Sequence, residues 1–553
     1  MKNKLFLCVF LFQFSLAFSQ NVKPIKVIST NLVRNTLQKV GLESSLSLAK
    51  TQAIASGLNI SLPMPDGTNV TLSPIESPVM SGNLGKVFPT IKTYRLFSTE
   101  TKDQITGVLT ISPEGINSLL FTATGNVIIA PTSIRNDEYF VFYQNDSELK
   151  EACEIGDEHI ERTGGKNNIK TIEDFTNGTI LRSFRMAIAT TGEFYSNNGS
   201  TQISAQAAIV SMVNSLRAVY EKEVSITFTL VATKIYTDAT TDPFNPNSSS
   251  KALDAAVNFG VLSGSEPASF ALNLYDIGHV IHHSTGGGGV AYLNGPCNNF
   301  NLTTATSPIK AGGWSGGTTT TLSTFIHEVG HQFSAGHTFN SVNSGCNGNI
   351  MTGSAYEPGS GSTYMSYWGN CSPNNISGIV NRTYFHANSL ESIITFSTNS
   401  ATCSFNTSTG NNAPVVNTNP NGKTLTIPKG TPFKLEGSGS DANGETVLYN
   451  WEQYNLGTTR GGATSGGNIC ALLSNNNVLV NIQNNCQNTI TLNGVAITGT
   501  QAVNESITST QVVNTGVNLT YRAGNSITLS PMTGSGFSAD SGSVFKAENG
   551  GCN

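Results

Sequence analysis

The residues that could do chemistry cluster in His327-Glu328-Val329-Gly330-His331-Gln332-Phe333-Ser334-Ala335-Gly336-His337. On a helix, His327 and His331 lie one turn apart and project together, so two imidazoles can meet one zinc ion at about 2.0–2.1 Å. Glu328 points beside them. His337 can join only if the chain leaves the helix and turns back, which leaves a fourth coordination position for water. That arrangement is the one hydrolysis by a metal-activated water needs, with Glu328 as general base taking the proton and then returning it to the leaving group.

A helix must carry the first two histidines. Leu322, Ile326, Val329 and Phe333 recur at spacings of four, three and four, which gives it one buried stripe. Upstream, the pattern reads strand (184–190), helix (203–220) and strand (224–231), an α/β layering. A further strand ends in Asp276-Ile277-Gly278-His279-Val280 and leads to the glycine run Gly286–Gly289. No Gly-Lys-Ser/Thr follows, so the run is expected to be a mobile loop at a strand edge and not a phosphate loop. His279, His282 and His283 form a second histidine cluster. Adjacent His282 and His283 would point to opposite faces of a strand, so rim positions on the cleft are preferred to a second metal site.

The length of 553 residues exceeds a single core and predicts several domains. Charged residues are 12% and the net charge is −5, so no basic patch argues for nucleic acid. Lys2 and Lys4 precede an apolar run from Leu5 to Ala17, and Ala17-Phe18-Ser19 offers a small-x-small cleavage site. Residues 1–19 therefore read as a signal peptide, and no stretch reads as a transmembrane anchor. The expected location is extracellular. Residues 20–180 read as an α+β pro-segment with strand-like runs at 107–111 and 127–130, ending in a polar linker near 163–168.

Around the histidine motif the sequence resembles the metzincins, and among them the secreted bacterial reprolysin-like metalloproteases. The resemblance covers roughly 181–405 and includes Tyr275-Asp276-Ile277-Gly278-His279, Gly286–Gly289, the motif helix and 355–367. It implies a twisted mixed sheet with helices, one catalytic zinc held by His327, His331 and His337, and protein or peptide substrates. Met365 falls at the methionine that forms a turn beneath the metal, and Tyr367 at a tyrosine whose hydroxyl supports catalysis. A plain core methionine and a buried aromatic are the alternatives. Two departures stand out. Ser334 replaces the family's glycine, so either Ser334 adopts a left-handed turn or Gly336 relocates it. Thr338 replaces the aspartate that follows the third histidine, so that supporting carboxylate is expected to be missing. His386 reads as packing below the site.

Beyond residue 411 the chain turns β-rich. Residues 412–460 match part of an immunoglobulin-like module, and 485–553 a small β-solenoid, with a surface or glycan as a conceivable ligand. Asp441, Asn443 and Glu445 are spaced for Ca2+ or for a solvated turn. Loss of the signal peptide leaves eight cysteines. Cys346 with Cys371, Cys470 with Cys486 and Cys297 with Cys403 are the expected pairs. Cys153 is then a free thiol that could occupy the metal's open position as a latency switch, or pair with Cys552.

Overall fold

The structure is a computed structural model of the chain. It describes residues 24–26, 59–98, 105–122, 125–132, 138–144, 176–283, 288–300, 308–317, 321–376, 383–419, 433–445, 447–452, 454 and 456, and ten short strands between 470 and 549. Two compact units divide the chain: residues 1–415 with 439–475, and residues 416–438 with 476–553.

The first unit opens with an antiparallel sheet in the order β1-β8-β7-β6-β5-β4-β3-β2. Its strands are β1 (Pro24–Lys26), β2 (Ile60–Pro63), β3 (Asn69–Glu76), β4 (Lys92–Ser98), β5 (Thr106–Ser112), β6 (Gly115–Thr122), β7 (Gly125–Pro131) and β8 (Glu138–Tyr143). Helix α1 (Gly82–Val87) interrupts it between β3 and β4. Successive strand residues point to opposite faces, and here both faces are apolar. Leu109, Ile111, Leu120, Val127 and Ile129 form the sheet's own core. Val108, Leu119 and Phe121 belong to a different core, shared with the helices that follow.

That second body is a mixed α/β domain. Its sheet runs in the order β10-β9-β11-β13-β12, with β14 added to β9. The ranges are β9 (Ile180–Thr190), β10 (Ile226–Ile235), β11 (Ile277–Ile281), β12 (Gly288–Ala291), β13 (Gly313–Gly316) and β14 (Phe405–Ser408). Strands β10, β9, β11 and β13 are mutually parallel, whereas β12 and β14 run antiparallel to their neighbours. The helices are α2 (Gly192–Asn197), α3 (Gln202–Val224), α4 (Lys251–Ser265), α5 (Thr321–Gln332) and α6 (Ala387–Asn399).

Alternation along β9 sorts the two layers. Phe184, Met186 and Ile188 face α3, α5 and α6. Ala187 and Ala189 face α4 together with Trp314 and Phe259. Helix α3 starts at Thr201, whose side-chain oxygen accepts from the Ser204 amide, and stops at Ser225 in the left-handed region. The glycine run departs from expectation: Gly288 and Gly289 are strand residues of β12, paired with Gly316 and Ser315, while Gly286 and Gly287 lie outside the described residues.

Strand pairing in the C-terminal region reaches past residue 460, since Phe433–Glu436 pairs with Asn477–Val480. Residues 489–549 carry parallel ladders in which Thr489, Ser506 and Ser526 stand in register. Among the described residues, no helix is long and apolar enough to cross a membrane.

Candidate metal centre

Helix α5 buries Phe325, Ile326, Val329 and Phe333, with Leu322 partly buried at its start. The Phe333 ring packs edge-on against Phe184 at 5.1 Å, and the Tyr220 hydroxyl of α3 donates to the Ile326 carbonyl at 2.9 Å. The helix is thus pinned to the sheet on one side, and its opposite side carries His327, Glu328 and His331. After Gln332 the chain reverses. Ser334 has φ +77°, its amide donates to the His331 carbonyl at 2.7 Å, and the Ala335 amide donates to the Gly330 carbonyl at 2.9 Å. That pair of bonds is a Schellman cap with serine where glycine is usual. Ser334 itself makes the left-handed turn, and Gly336 does not relocate it.

The turn returns His337 to the helix. His327, His331 and His337 are buried, and their ligating nitrogens lie within 4.8 Å of one another. This is the only such group of metal-binding side chains among the described residues. Each ring is held from behind. The Nδ1 atoms of His327, His331 and His337 meet the carbonyls of Tyr364 at 2.6 Å, Ala335 at 2.7 Å and Asn349 at 2.7 Å. A carbonyl only accepts, so each Nδ1 carries the proton and each Nε2 presents a lone pair. His331 Nε2 and His337 Nε2 then face each other at 3.0 Å. Two lone pairs repel at that separation, whereas a tetrahedral zinc between them would set them about 3.3 Å apart. The residues fit the ion.

Met365 is fully buried beneath the helix: a Cβ on Gly330 would stand 2.5 Å from its Sδ. The next loop carbonyl, that of Tyr364, is the one that fixes His327. The Tyr367 ring packs edge-on against His337 at 4.5 Å and lies tilted against Phe339 at 4.5 Å. Strand β12 closes the other side, where a Cβ on Gly289 would fall 2.4 Å from Glu328 Cγ and Oε1.

The sequence reading missed one residue here. Thr338 is not a carboxylate, but it donates through its hydroxyl to the carboxylate of Glu357, itself 2% exposed. Glu357 also accepts from Thr363 Oγ1 at 2.6 Å, the Ser362 amide at 2.7 Å and Ser362 Oγ at 3.2 Å. It therefore ties the segment after His337 to the segment before Met365, while the position after the third histidine is Thr338 and each ligand Nδ1 meets a backbone carbonyl. The available signal was that Glu357 is the lone acidic residue between His337 and Glu391.

His279 and His282 are buried and are not rim residues, whereas His283 is partly exposed. His279 is fully buried, sharing hydrogen bonds with Gln332 Oε1 at 2.9 Å and Ser315 Oγ at 2.8 Å. Burial pushes its pKa down to about 4, so it is neutral. Gln332 in turn donates to the Gly278 carbonyl at 3.0 Å, locking the end of α5 to β11. His282 shares a hydrogen bond with Thr191 at 3.0 Å and lies over Trp314. His386 caps α6, accepting from the Asn388 amide, and stacks on Tyr356. Asp441 accepts from the amides of Asn443 and Glu445 in an exposed turn. Cys297–Cys403 and Cys346–Cys371 are bonded. Cys153, Cys486 and Cys552 lie outside the described residues, as does the side chain of Cys470.

Residues 181–377 match the family model Reprolysin_5, metallo-peptidase family M12. With the three-histidine group inside it, this segment is a metzincin-like zinc metalloprotease domain. No curated protein matches the chain. Among solved structures, metalloproteinase-II from Bacteroides fragilis is similar at 12% identity and TM-score 0.34, over 66% of this chain and 94% of that one. A chaperone-substrate complex is similar at 14% identity and TM-score 0.25, over 52% and 38%.

Proposed function

We propose that the chain is a secreted zinc endopeptidase that cleaves internal peptide bonds in proteins, with Glu328 as general base. The observation that carries the reading is the convergence of three histidine Nε2 atoms, each with its Nδ1 committed to a carbonyl, with Glu328 next to His327 on the same helix. A bound zinc ion would supply Lewis acidity for a water molecule and a substrate carbonyl. Glu328 takes the proton from the water and passes it to the departing amine nitrogen. Tyr367 supports the developing charge on the carbonyl oxygen through its hydroxyl. Strand β12 ends the sheet order, so its outer edge suits an extended peptide added as a further strand. Residues 20–180 act as a pro-segment, with Cys153 as the latency thiol, and the C-terminal β-rich modules hold a surface or glycan.

A rival reading is a catalytically inactive extracellular binding protein built on the same domain, which Ser334 would favour if it displaced His337. His337 Nε2 stands 3.0 Å from His331 Nε2, which removes that ground. Digestion of an unfolded protein substrate tests the proposal. Glu328→Ala should keep its zinc and lose on the order of 10²–10⁴ in kcat, the range typical of a general base. His331→Ala should lose the metal. Wild-type digestion by Glu328→Ala, or digestion that survives chelation, would refute the assignment. A panel of small amides separates a peptidase from another zinc hydrolase.

A further inference from the structure

Helix α3 is apolar nearly all the way round: Ile209, Val210, Val213, Leu216, Val219 and Tyr220 are all buried. A helix of this kind needs cover on two sides. The catalytic sheet covers one, and β5 and β6 of the N-terminal sheet cover the other, through Val108, Leu119 and Phe121. The polar groups on that side are matched across the same boundary. Asn214 Nδ2 donates to the Leu109 carbonyl at 3.2 Å, and Ser204 Oγ donates to Glu114 at 2.8 Å. Arg95 makes a two-point ion pair with Glu221, at 2.6 and 3.1 Å. Buried Arg217 stands 3.8 Å from the same carboxylate and donates to the Ser77 carbonyl at 3.1 Å. The backbone joins as well. The Leu230 amide donates to the Val79 carbonyl at 2.7 Å and the Ser81 amide donates to the Leu230 carbonyl at 2.8 Å, so residues 79–81 add a short parallel bridge to the free edge of β10.

We propose that residues 60–143 are a permanent structural partner of the metalloprotease domain, seated on the outer face of α3 and the edge of β10, and that they stay bound after the chain between the two is cut. Separation would uncover the apolar face of α3, a patch of the kind that drives aggregation. It would also take Arg95 from Glu221 and unpair an edge strand. Cutting the linker then frees a connection without removing the sheet, and what cleavage can change is confined to the linker itself.

The test uses the full chain, carrying a recognition sequence for a specific protease in place of residues 163–168 and cut after folding. Under native gel filtration at about 1 µM, the two fragments should elute together and separate only in denaturant. An N-terminal fragment that elutes alone, leaving a soluble and monodisperse remainder, would overturn the proposal. If the inserted sequence hinders folding, limited trypsin digestion of the unaltered chain gives the same readout. Ser81→Pro keeps the backbone φ of −59° and deletes the amide donor to Leu230 together with the Oγ that caps α1, and Ser81→Ala, which removes only that Oγ, is its control. Ser81→Pro should speed release of the cut fragment at least tenfold over that control, and an unchanged release rate would overturn the β10 edge as the binding surface. The readout is association, so its failure is distinct from a failure of the peptidase reading.

Discussion

At Ser334 a side chain occupies backbone space that favours glycine, with φ +77°. Left-handed conformation costs a non-glycine residue on the order of 1 kcal/mol, so Ser334→Gly should raise the thermal midpoint by a few degrees without loosening zinc. Thermal unfolding followed with metal analysis checks both. Glu357 holds together the segment after His337 and the segment before Met365 through Thr338 and Thr363. Glu357→Gln should loosen this junction and lower zinc affinity, measured by competition with a chelator, while the fold persists. Tyr367→Phe keeps the ring against His337 and removes only the hydroxyl, so a fall in kcat with unchanged KM is expected. The three histidines and Glu328 were legible because their spacing is local to one helix and its cap. Glu357 was not, since its partners at 338 and 362–363 meet only when two loops fold together.

At the scale of elements, the site depends on two places where glycine permits close approach. A Cβ at Gly330 would stand 2.5 Å from the Met365 sulfur, and one at Gly289 would stand 2.4 Å from Glu328. Gly289→Ala should therefore displace the carboxylate and cut kcat while zinc content stays full, whereas Gly330→Ala should lift α5 off the methionine turn and weaken zinc binding. Metal titration beside steady-state kinetics distinguishes the two. Periodicity gave β9, α3, β10 and α5 to within a few residues, because each has a clear apolar stripe or run. The glycine run misled: without side chains, Gly288 and Gly289 show no alternation, and only the neighbouring β13 reveals them as a strand.

For the whole molecule, the runs at 107–111 and 127–130 read as strands, and the structure covers the 107–111 strand on both faces. What covers the second face was illegible, because α3 lies about a hundred residues away in sequence. The Arg95–Glu221–Arg217 group makes that boundary sensitive to acid. Burial alone would raise the Glu221 carboxyl, but Arg95 and Arg217 outweigh it and hold it below its ordinary value of 4.5. A folded-state pKa below the unfolded one stabilises above about pH 4.5, and that stability is lost as pH falls through the lowered value. Acid titration should therefore loosen the N-terminal sheet, and Glu221→Gln should flatten the low-pH limb of the midpoint-versus-pH curve. A limb unchanged by that substitution would assign the sensitivity elsewhere.

The disulfide between Cys297 and Cys403 has a mechanical reading. It closes a loop of 106 residues that contains α5, His337, Glu357, Met365 and α6. Among the described residues beyond Cys403, β14 rejoins the sheet antiparallel to β9, and Glu452 and Tyr454 bond α6 at the Ala387 amide and at Glu391. A pull applied at the C-terminus would first break the Glu452 and Tyr454 contacts, then peel β14 away one hydrogen bond at a time and reach the sulfur bridge. From there tension passes directly to Cys297 and back along the chain toward the N-terminus. The peptide between the two cysteines carries almost none of it, so the histidines sit in slack chain while the protein is held taut.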